Sequence, residues 1–384
     1  MKLLFVVTED WYFHSHRLAL AVAAKERGCD VVVVTRVTNH KGRIESQGVR
    51  VIPAQWLIRS SLNPFLELNA LIELCFIFFR ERPDIIHNVA IKPTIYGNLA
   101  GLLARVPRRV SALGGLGFIF TSQKFHVKIL RKLIVTTFRC LLNRKNSFVI
   151  VQNEDDLSVM LDECGLDSSR LRLIRGAGVD LNVYNPSPIP QAEPVVMLAS
   201  RMIWDKGIRE FVESARLLKA KGIKARFVLV GSPDGENPAS VPENELLRWN
   251  TEGIVEWWGY REDMPQTLAE ASIVCLPTYY GEGVPKVLIE AMACARPIIT
   301  TDTAGCRDLV EDAENGILVA PRDVHSLAAA ISALLIDGKK CEQMGKMGRQ
   351  IAADKYSISK VIDGVFSIYN LESSKRTEGN SKEL

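Results

Sequence analysis

An α/β architecture of two Rossmann-like domains, each a wound parallel sheet covered by helices, follows from three features of the sequence. The chain has 384 residues, and at roughly 100 to 200 residues per domain that length favours two cores. Short apolar runs rich in β-branched residues alternate with helix-length segments along nearly the whole chain, a pattern that puts strands in parallel and helices on both faces. The alternation is interrupted once, by four prolines between 186 and 194, and then begins afresh. Proline-rich stretches stop regular structure and make semi-rigid connectors, so the boundary is expected there, with domains at 1–185 and 195–356.

The first domain opens with a strand at 2–8, a helix at 15–27 ended by Gly28, and a strand at 31–35. A glycine just past the last helical residue accepts the left-handed conformation that closes many helices. Further strands are expected at 49–53, 85–87, 109–112, 148–152 and 171–174, separated by segments long enough for helices. The second domain repeats the scheme with strands at 195–200, 227–231, 254–258, 273–276 and 298–301. A last helix at 357–371 is expected to return to the first domain. It precedes a polar tail, 372–384, with almost nothing to bury and expected to be disordered.

Hydrophobic residues at 47% and charged residues at 24% are those of an ordinary globular protein. The eight cysteines form no C-x-x-C pair and no zinc-type cluster, and no secretory leader precedes Met1 to Phe5. Reduced thiols in a cytoplasm are therefore expected. The longest apolar stretch, 65–79, contains Glu67 and Glu73 and falls short of the about 20 residues a bilayer span needs. The net charge of +4 hides an uneven distribution, because 85–153 holds eleven Lys and Arg and no acid. Such a bias calls for an anionic partner, which could be nucleic acid, phosphorylated substrate or acidic lipid. Nucleic acid is disfavoured, since no aromatic-interleaved basic stripe or known nucleic-acid-binding motif accompanies the charge.

Ligands of wound sheets bind beyond the carboxyl ends of the strands, which directs attention to the loops of the second domain. Arg201 and Lys206-Gly207 follow the strand at 195–200, two cations near a helix entrance that suit phosphate. Pro277 to Pro285 follow the strand at 273–276, with glycines on both sides of Glu282, and the next helix carries Glu290 on an otherwise apolar segment. A carboxylate buried there requires a partner, either sugar hydroxyls or a local hydrogen-bond network.

The run from Glu282 to Glu290 is similar to the E-x7-E motif of the retaining glycosyltransferase family GT4, which has the GT-B fold. Gly178-Val179-Asp180 before Tyr184-Asn185-Pro186, Arg201 with Lys206-Gly207, Gly259-Tyr260 with Asp263, Arg296-Pro297, and Asn315-Gly316 match that family in order and spacing. The resemblance implies two domains facing across a cleft and a nucleotide-sugar donor, UDP-linked in the favoured reading, held by the second. Arg201 and Lys206 would then pair with its diphosphate and Glu290 with the ribose. Glu282 would lie beside the donor sugar, Gly283, Val284, Pro285 and Lys286 would offer contacts along the loop, and Gly259 and Tyr260 would face the base. Retention could use Glu282 as a nucleophile or a same-face attack guided by the leaving phosphate. No D-x-D occurs, and the two cations supply charge that a divalent ion would otherwise bring, so neither a catalytic metal nor a cofactor is expected.

On the acceptor side the resemblance is looser. Many relatives place a histidine where this chain reads Leu113-Gly114-Gly115-Leu116-Gly117, and that histidine's role does not transfer. A Gly-Leu-Gly there, and the stretch from Arg59 to Pro64, resemble enzymes that extend saccharides on undecaprenyl diphosphate. The reading is thus of a hexosyl- or N-acetylhexosaminyltransferase of O-antigen, capsule or glycan assembly. A sugar-nucleotide epimerase and a non-catalytic binding protein are the alternatives. Gly115 and Gly117 would let backbone approach acceptor or diphosphate, or merely turn the chain, and His16, His87 and Lys92 are acceptor-side candidates. At 125–145, basic residues 128, 131, 132 and 139 share one side and apolar residues 129, 130, 133, 134, 138 and 141 the other. Such a helix could rest on the anionic inner face of the plasma membrane, with residues 118–120 beside it, or simply expose a solvated face.

Overall fold

The computed structural model describes residues 1–61, 63–121, 124–190, 192–311 and 314–371, the side chains of 118 and 121 excepted. The tail 372–384, expected to be disordered, lies outside the described residues. Seven strands form the first sheet: β1 (Lys2–Glu9), β2 (Asp30–Arg36), β3 (Arg50–Pro53), β4 (Ile85–Val89), β5 (Arg108–Ala112), β6 (Ser147–Val151) and β7 (Leu171–Leu173). All pair in parallel in the order β3-β2-β1-β4-β5-β6-β7. The second sheet holds β8 (Val195–Ala199), β9 (Arg226–Val230), β10 (Glu256–Gly259), β11 (Ile273–Leu276), β12 (Ile298–Thr301) and β13 (Gly316–Val319), in the order β10-β9-β8-β11-β12-β13. Strand order therefore reverses twice, at β1/β4 and at β8/β11, and each reversal opens a crevice at the carboxyl ends. These are the two wound sheets anticipated above.

Apolar cores lie on both faces of each sheet. Phe5, Phe13, Val33 and Val110 fill one face of the first sheet, with Leu4, Val34, Leu74 and Phe78 on the other. Strand β13 is not among the expected strands; it begins with a glycine, a residue that weakens the strand signal. That glycine is required, since a Cβ on Gly316 would lie 2.4 Å from the Ile298 carbonyl oxygen on the neighbouring strand. The helix expected at 15–27 is two helices, Asp10–His16 and Leu18–Glu26, broken at Arg17. It starts early because the Asp10 carboxylate accepts the backbone N–H groups of Thr38 (2.8 Å) and His40 (2.9 Å), tying the end of β1 to the loop after β2.

The proline-rich segment is not where the chain changes domain. Fully buried Arg296 donates to the carbonyls of Ser187 (3.1 Å) and Pro188 (3.3 Å), fastening that segment to the second domain. Arg349 likewise holds the carbonyls of Leu181 and Tyr184. The change falls between Ile174, packed on the first core, and Val179, buried in the second. Val179 bridges in parallel to Ser357, where the chain comes back. Helix Ile358–Tyr369 then buries Val365, Phe366, Ile368 and Tyr369 in the first domain.

Helix Phe125–Leu142 buries Val127, Ile134, Phe138, Leu141 and Leu142. Two expectations about it fail. Ile129 and Leu133, assigned to its apolar side, point outward beside Lys128 and Lys132, while Arg131, assigned to the basic side, turns to Glu163 and donates to the Phe120 carbonyl (2.9 Å). Phe120 is itself buried in the core under that guanidinium, which removes it from any surface. Among the described residues no helix is long and apolar enough to cross a membrane.

Candidate active site

The loop that leaves β11 carries Glu282, held over the carboxyl end of the second sheet. Its Oε1 accepts Lys206, and Thr278 Oγ1 lies 3.2 Å from the same oxygen. Lys206 ends a 3-10 turn, Trp204–Lys206, that leads through Gly207 into helix Ile208–Ala220. Gly207 takes φ +78°, and a Cβ there would come 2.2 Å from the Pro277 carbonyl oxygen, so only glycine lets the two loops meet. The Lys206 ammonium also stands 5.7 Å over the Tyr280 ring. Burial, reinforced by the Glu282 charge, pushes the Tyr280 hydroxyl's pKa up and keeps it protonated.

Glu290 lies one turn into helix Lys286–Ala293 and is buried. Its Oε1 accepts the Tyr184 hydroxyl (2.6 Å) and the Lys286 ammonium. Arg201, at the end of β8, reaches Asp234 at 2.5 Å, and the second Asp234 oxygen receives Arg59 of the first domain at 2.7 Å. Burial alone would raise the Asp234 pKa, but Arg59 and Arg201 outweigh it and the carboxyl is held below its ordinary value. Arg201 thus faces the cleft within a bridge that joins the domains.

The first domain meets this site mainly with backbone and amides. Gly115, at φ +97°, lies so close to the Glu282 loop that a Cβ would sit 2.4 Å from Gly283 N and 2.7 Å from the Gly281 carbonyl oxygen. Gly117 N donates to the Gly281 carbonyl at 3.1 Å. Just past β6, Gln152 accepts the Val284 N–H (2.9 Å), and Asn153 Nδ2 lies 3.2 Å from the carbonyl oxygens of both Glu282 and Gly283. His16 stacks on Tyr12, ring centroids 4.2 Å apart, with Ser15 on its Nδ1 at 2.6 Å. Burial, then the charges of Lys286 and Arg17, hold its pKa well below the ordinary histidine value, so the ring is neutral. Lys286 belongs to the second domain, which places His16 on the cleft.

The two halves match two family models: Glycosyl transferase 4-like over residues 2–153 and Glycosyl transferases group 1 over residues 193–337. The chain belongs to the GT4 family of glycosyltransferases. A Campylobacter jejuni enzyme, N,N'-diacetylbacillosaminyl-diphospho-undecaprenol alpha-1,3-N-acetylgalactosaminyltransferase, is 29% identical over 92% of this chain and 94% of its own. An Escherichia coli enzyme, UDP-Gal:alpha-D-GlcNAc-diphosphoundecaprenol alpha-1,3-galactosyltransferase, is 25% identical over 79% of each. Among solved structures, HepE of Anabaena in complex with UDP and glucose superposes with a TM-score of 0.79 over 97% of this chain at 20% identity, which establishes the GT-B fold.

In this glycosyltransferase the acceptor-side expectations fare unevenly. His87 is fully buried on β4 against Phe5, with its Nδ1 hydrogen-bonded to Tyr369 of the returning helix. It is a core residue because its place on the central strand points it into the sheet's packed face. Lys92 is committed as well, donating to the carbonyls of Ile58 (3.0 Å) and Ser61 and to Glu67 (2.7 Å), so it fastens the loop before helix Pro64–Glu81. Gly115 and Gly117 approach the Glu282 loop rather than open space. Gly259 accepts the Gly231 N–H at 2.7 Å and Tyr260 is exposed beside it. Sequence reasoning missed Asp234, Gln152 and Asn153. All three lie just past the carboxyl ends of strands, the signal that singled out Arg201 and Glu282.

Proposed function

We propose that this enzyme moves a hexose or N-acetylhexosamine, with GalNAc or GlcNAc favoured, from a UDP-sugar to a saccharide linked to undecaprenyl diphosphate. Anomeric configuration is retained, without a catalytic metal, at the inner face of the plasma membrane. The observation that carries this reading is the pairing of cations with carboxylates on the segments past β8 and β11, Lys206 with Glu282 and Lys286 with Glu290, beside Arg201 bonded to Asp234. It is supported by a relative, aligned over nine-tenths of both chains, whose name specifies such an acceptor. Arg201 and Lys206 stabilise the diphosphate as it departs, the electrostatic contribution that dominates many enzymes. Glu282 acts at the donor sugar, with residues 283–286 along it, and Glu290 receives the ribose hydroxyls in exchange for Lys286 or Tyr184. Gly259 and Tyr260 border the base, and the neutral His16 faces the acceptor.

The test is a panel of nucleotide sugars scored by ligand-dependent thermal shift, since a ligand bound only by the folded state raises its stability. The stabilising donor is then offered with a synthetic undecaprenyl-diphosphate saccharide, and the product anomer is read by NMR. A donor that stabilises the protein yet transfers to no lipid-linked saccharide would sink the acceptor assignment. An inverted product would sink the stereochemistry.

A further inference from the structure

Helix Pro64–Glu81 is amphipathic in an unusual sense, because the face turned away from the protein is apolar. Phe65, Leu68, Ile72, Phe76 and Phe79 recur at helical spacing and are all exposed, Phe65 by 78% and Phe76 by 72%. Ala70, Leu74 and Phe78 occupy the opposite face and are buried. This helix packs on helix Ile91–Leu103, which packs in turn on helix Phe125–Leu142, so the three lie side by side on one face of the first sheet. The third helix adds Phe125 (80% exposed), Ile129 and Leu133 (64%), and the middle one ends in exposed Leu103. Among the described residues, more than half of the exposed large hydrophobic side chains are gathered on this one face. Monomeric proteins rarely leave so much contiguous apolar surface without a partner.

Charge indicates which partner. Arg80, Arg82, Arg105, Lys128 and Lys132 are exposed around or within the apolar stripes. The acids of helix Pro64–Glu81 are turned to other work: Glu67 holds Lys92 and Tyr96, Glu73 accepts the N–H groups of Gln55 and Trp56, and Glu81 pairs with Lys2 and Arg50. The other two helices contain no acid. Apolar side chains flanked by cations on one layer of adjacent helices match the boundary between headgroups and acyl chains of an anionic bilayer. The layer also begins at the cleft. Helix Pro64–Glu81 starts shortly after Arg59, which bonds Asp234 across the domains, and helix Phe125–Leu142 follows the glycine loop that rests on Gly281 and Gly283.

We propose that the outward face of these three helices, with helix Pro64–Glu81 as its principal apolar element, is the surface on which the enzyme docks to an anionic phospholipid bilayer. Docked so, the enzyme would present its cleft at headgroup level, which rests on the lipid-linked acceptor assigned above. The surface keeps Lys128 and Lys132 of the basic helix that the sequence singled out, loses Phe120 to the core, and gains helix Pro64–Glu81.

The test uses the full chain and a triple variant, Phe65→Ser with Phe76→Ser and Phe79→Ser, whose side chains are exposed so that folding, checked by melting temperature, is preserved. Vesicles of phosphatidylethanolamine with phosphatidylglycerol, and of phosphatidylcholine alone, are floated with each protein. The wild type should float with the anionic vesicles, and the variant's partitioning should fall at least about tenfold, because aromatic area no longer leaves water. Lys128→Glu with Lys132→Glu should lose anionic preference and salt sensitivity while keeping residual binding. Transfer to a short-chain water-soluble acceptor analogue should be the same in all proteins. If the triple variant floats as well as the wild type, the surface is wrong. If sedimentation shows a wild-type dimer that the same substitutions split without vesicles, a second copy covers this face and the proposal falls. Absence of transfer to the soluble analogue by the wild type would instead overturn the acceptor reading and leave the docking result to stand by itself.

Discussion

Substituting Gly115 by alanine tests whether the contact between the two glycine loops sets the position of Glu282. The residue has φ +97°, and an added Cβ would lie 2.4 Å from Gly283 N, 2.6 Å from Glu282 C and 2.7 Å from the Gly281 carbonyl oxygen. All three are backbone atoms that no rotamer change can move, so the Glu282 loop must retreat by about 1 Å to reach ordinary van der Waals contact. The left-handed conformation itself costs an alanine roughly 1–2 kcal/mol. Gly28 separates these two effects, since at φ +79° it has nothing within 4 Å of its would-be Cβ. Displacement of a reacting group by 1 Å can cost about a hundredfold in rate. Gly115→Ala should therefore lower kcat by about that factor, and nucleotide-sugar affinity by calorimetry should weaken less than turnover does, because Arg201, Lys206 and Glu290 lie outside the displaced stretch. Gly28→Ala should lose a little melting temperature and no turnover. Equal turnover in the two variants, measured by radiolabelled sugar transfer, would refute the positioning argument.

Glu282→Gln should lose turnover by orders of magnitude and Glu290→Gln should weaken donor binding as well, both remaining folded; full activity in both variants would remove the E-x7-E assignment. Arg201→Ala and Lys206→Ala should each lose at least about tenfold, since a charge-assisted phosphate contact is worth about 1.5–3 kcal/mol. Chelator should leave the wild type active, and strict dependence on magnesium or manganese would show that the diphosphate is neutralised another way. Burial, opposed by Asn153 and aided by the Asp155 and Asp308 charges, raises the Asp156 carboxyl to about 7 from an ordinary value of 3.8. Between those values the folded chain keeps a proton that the unfolded chain has lost, so this contribution to stability is complete below the lower value and disappears as pH rises through the upper one. Asp156→Asn should remove that decline, and its melting temperature should gain on the wild type's from pH 4 to pH 7; parallel profiles would show that Asp156 titrates normally.

Both sheets, and the loops that carry the candidate residues, were legible because each rests on a local signal. Alternating apolar runs mark strands, and Glu282, Glu290, Arg201 and Lys206 follow strands at set spacing. What escaped was tertiary. Arg296 reads as one more cation, yet its full burial pins Ser187 and Pro188, and that moves the domain crossing away from the prolines. His87 was placed at a strand end by a rule about loops, but the strand continues to Val89 and carries it into the core. In the sequence, helix Pro64–Glu81 shows only an apolar stretch too short and too charged to span a bilayer. That its apolar stripe faces outward depends on which side meets helix Ile91–Leu103, and the sequence of one helix does not state that.

The electrostatics of the cleft follow from the same pairing. Arg201, Lys206 and Lys286 each hold a carboxylate: Asp234, Glu282 and Glu290. Lys206 and Glu282 are only 12% exposed each, and a charge at that depth is costly without its partner. A diphosphate bound as proposed would therefore replace one anion by another instead of filling a bare cationic hole, and its affinity would be the difference between the two. Under the proposed function the exchange would release Glu282 from Lys206 in the same step that sets Lys206 on phosphate, and the carboxylate would become available at the sugar only with the donor in place. The loop bearing Glu282 is meanwhile fixed through Gln152, Asn153 and Gly115, all of the first domain. Under the proposed function, donor charge and domain contact would thus act on one carboxylate from opposite sides, which gives a reason for dividing the site between two separately folded sheets.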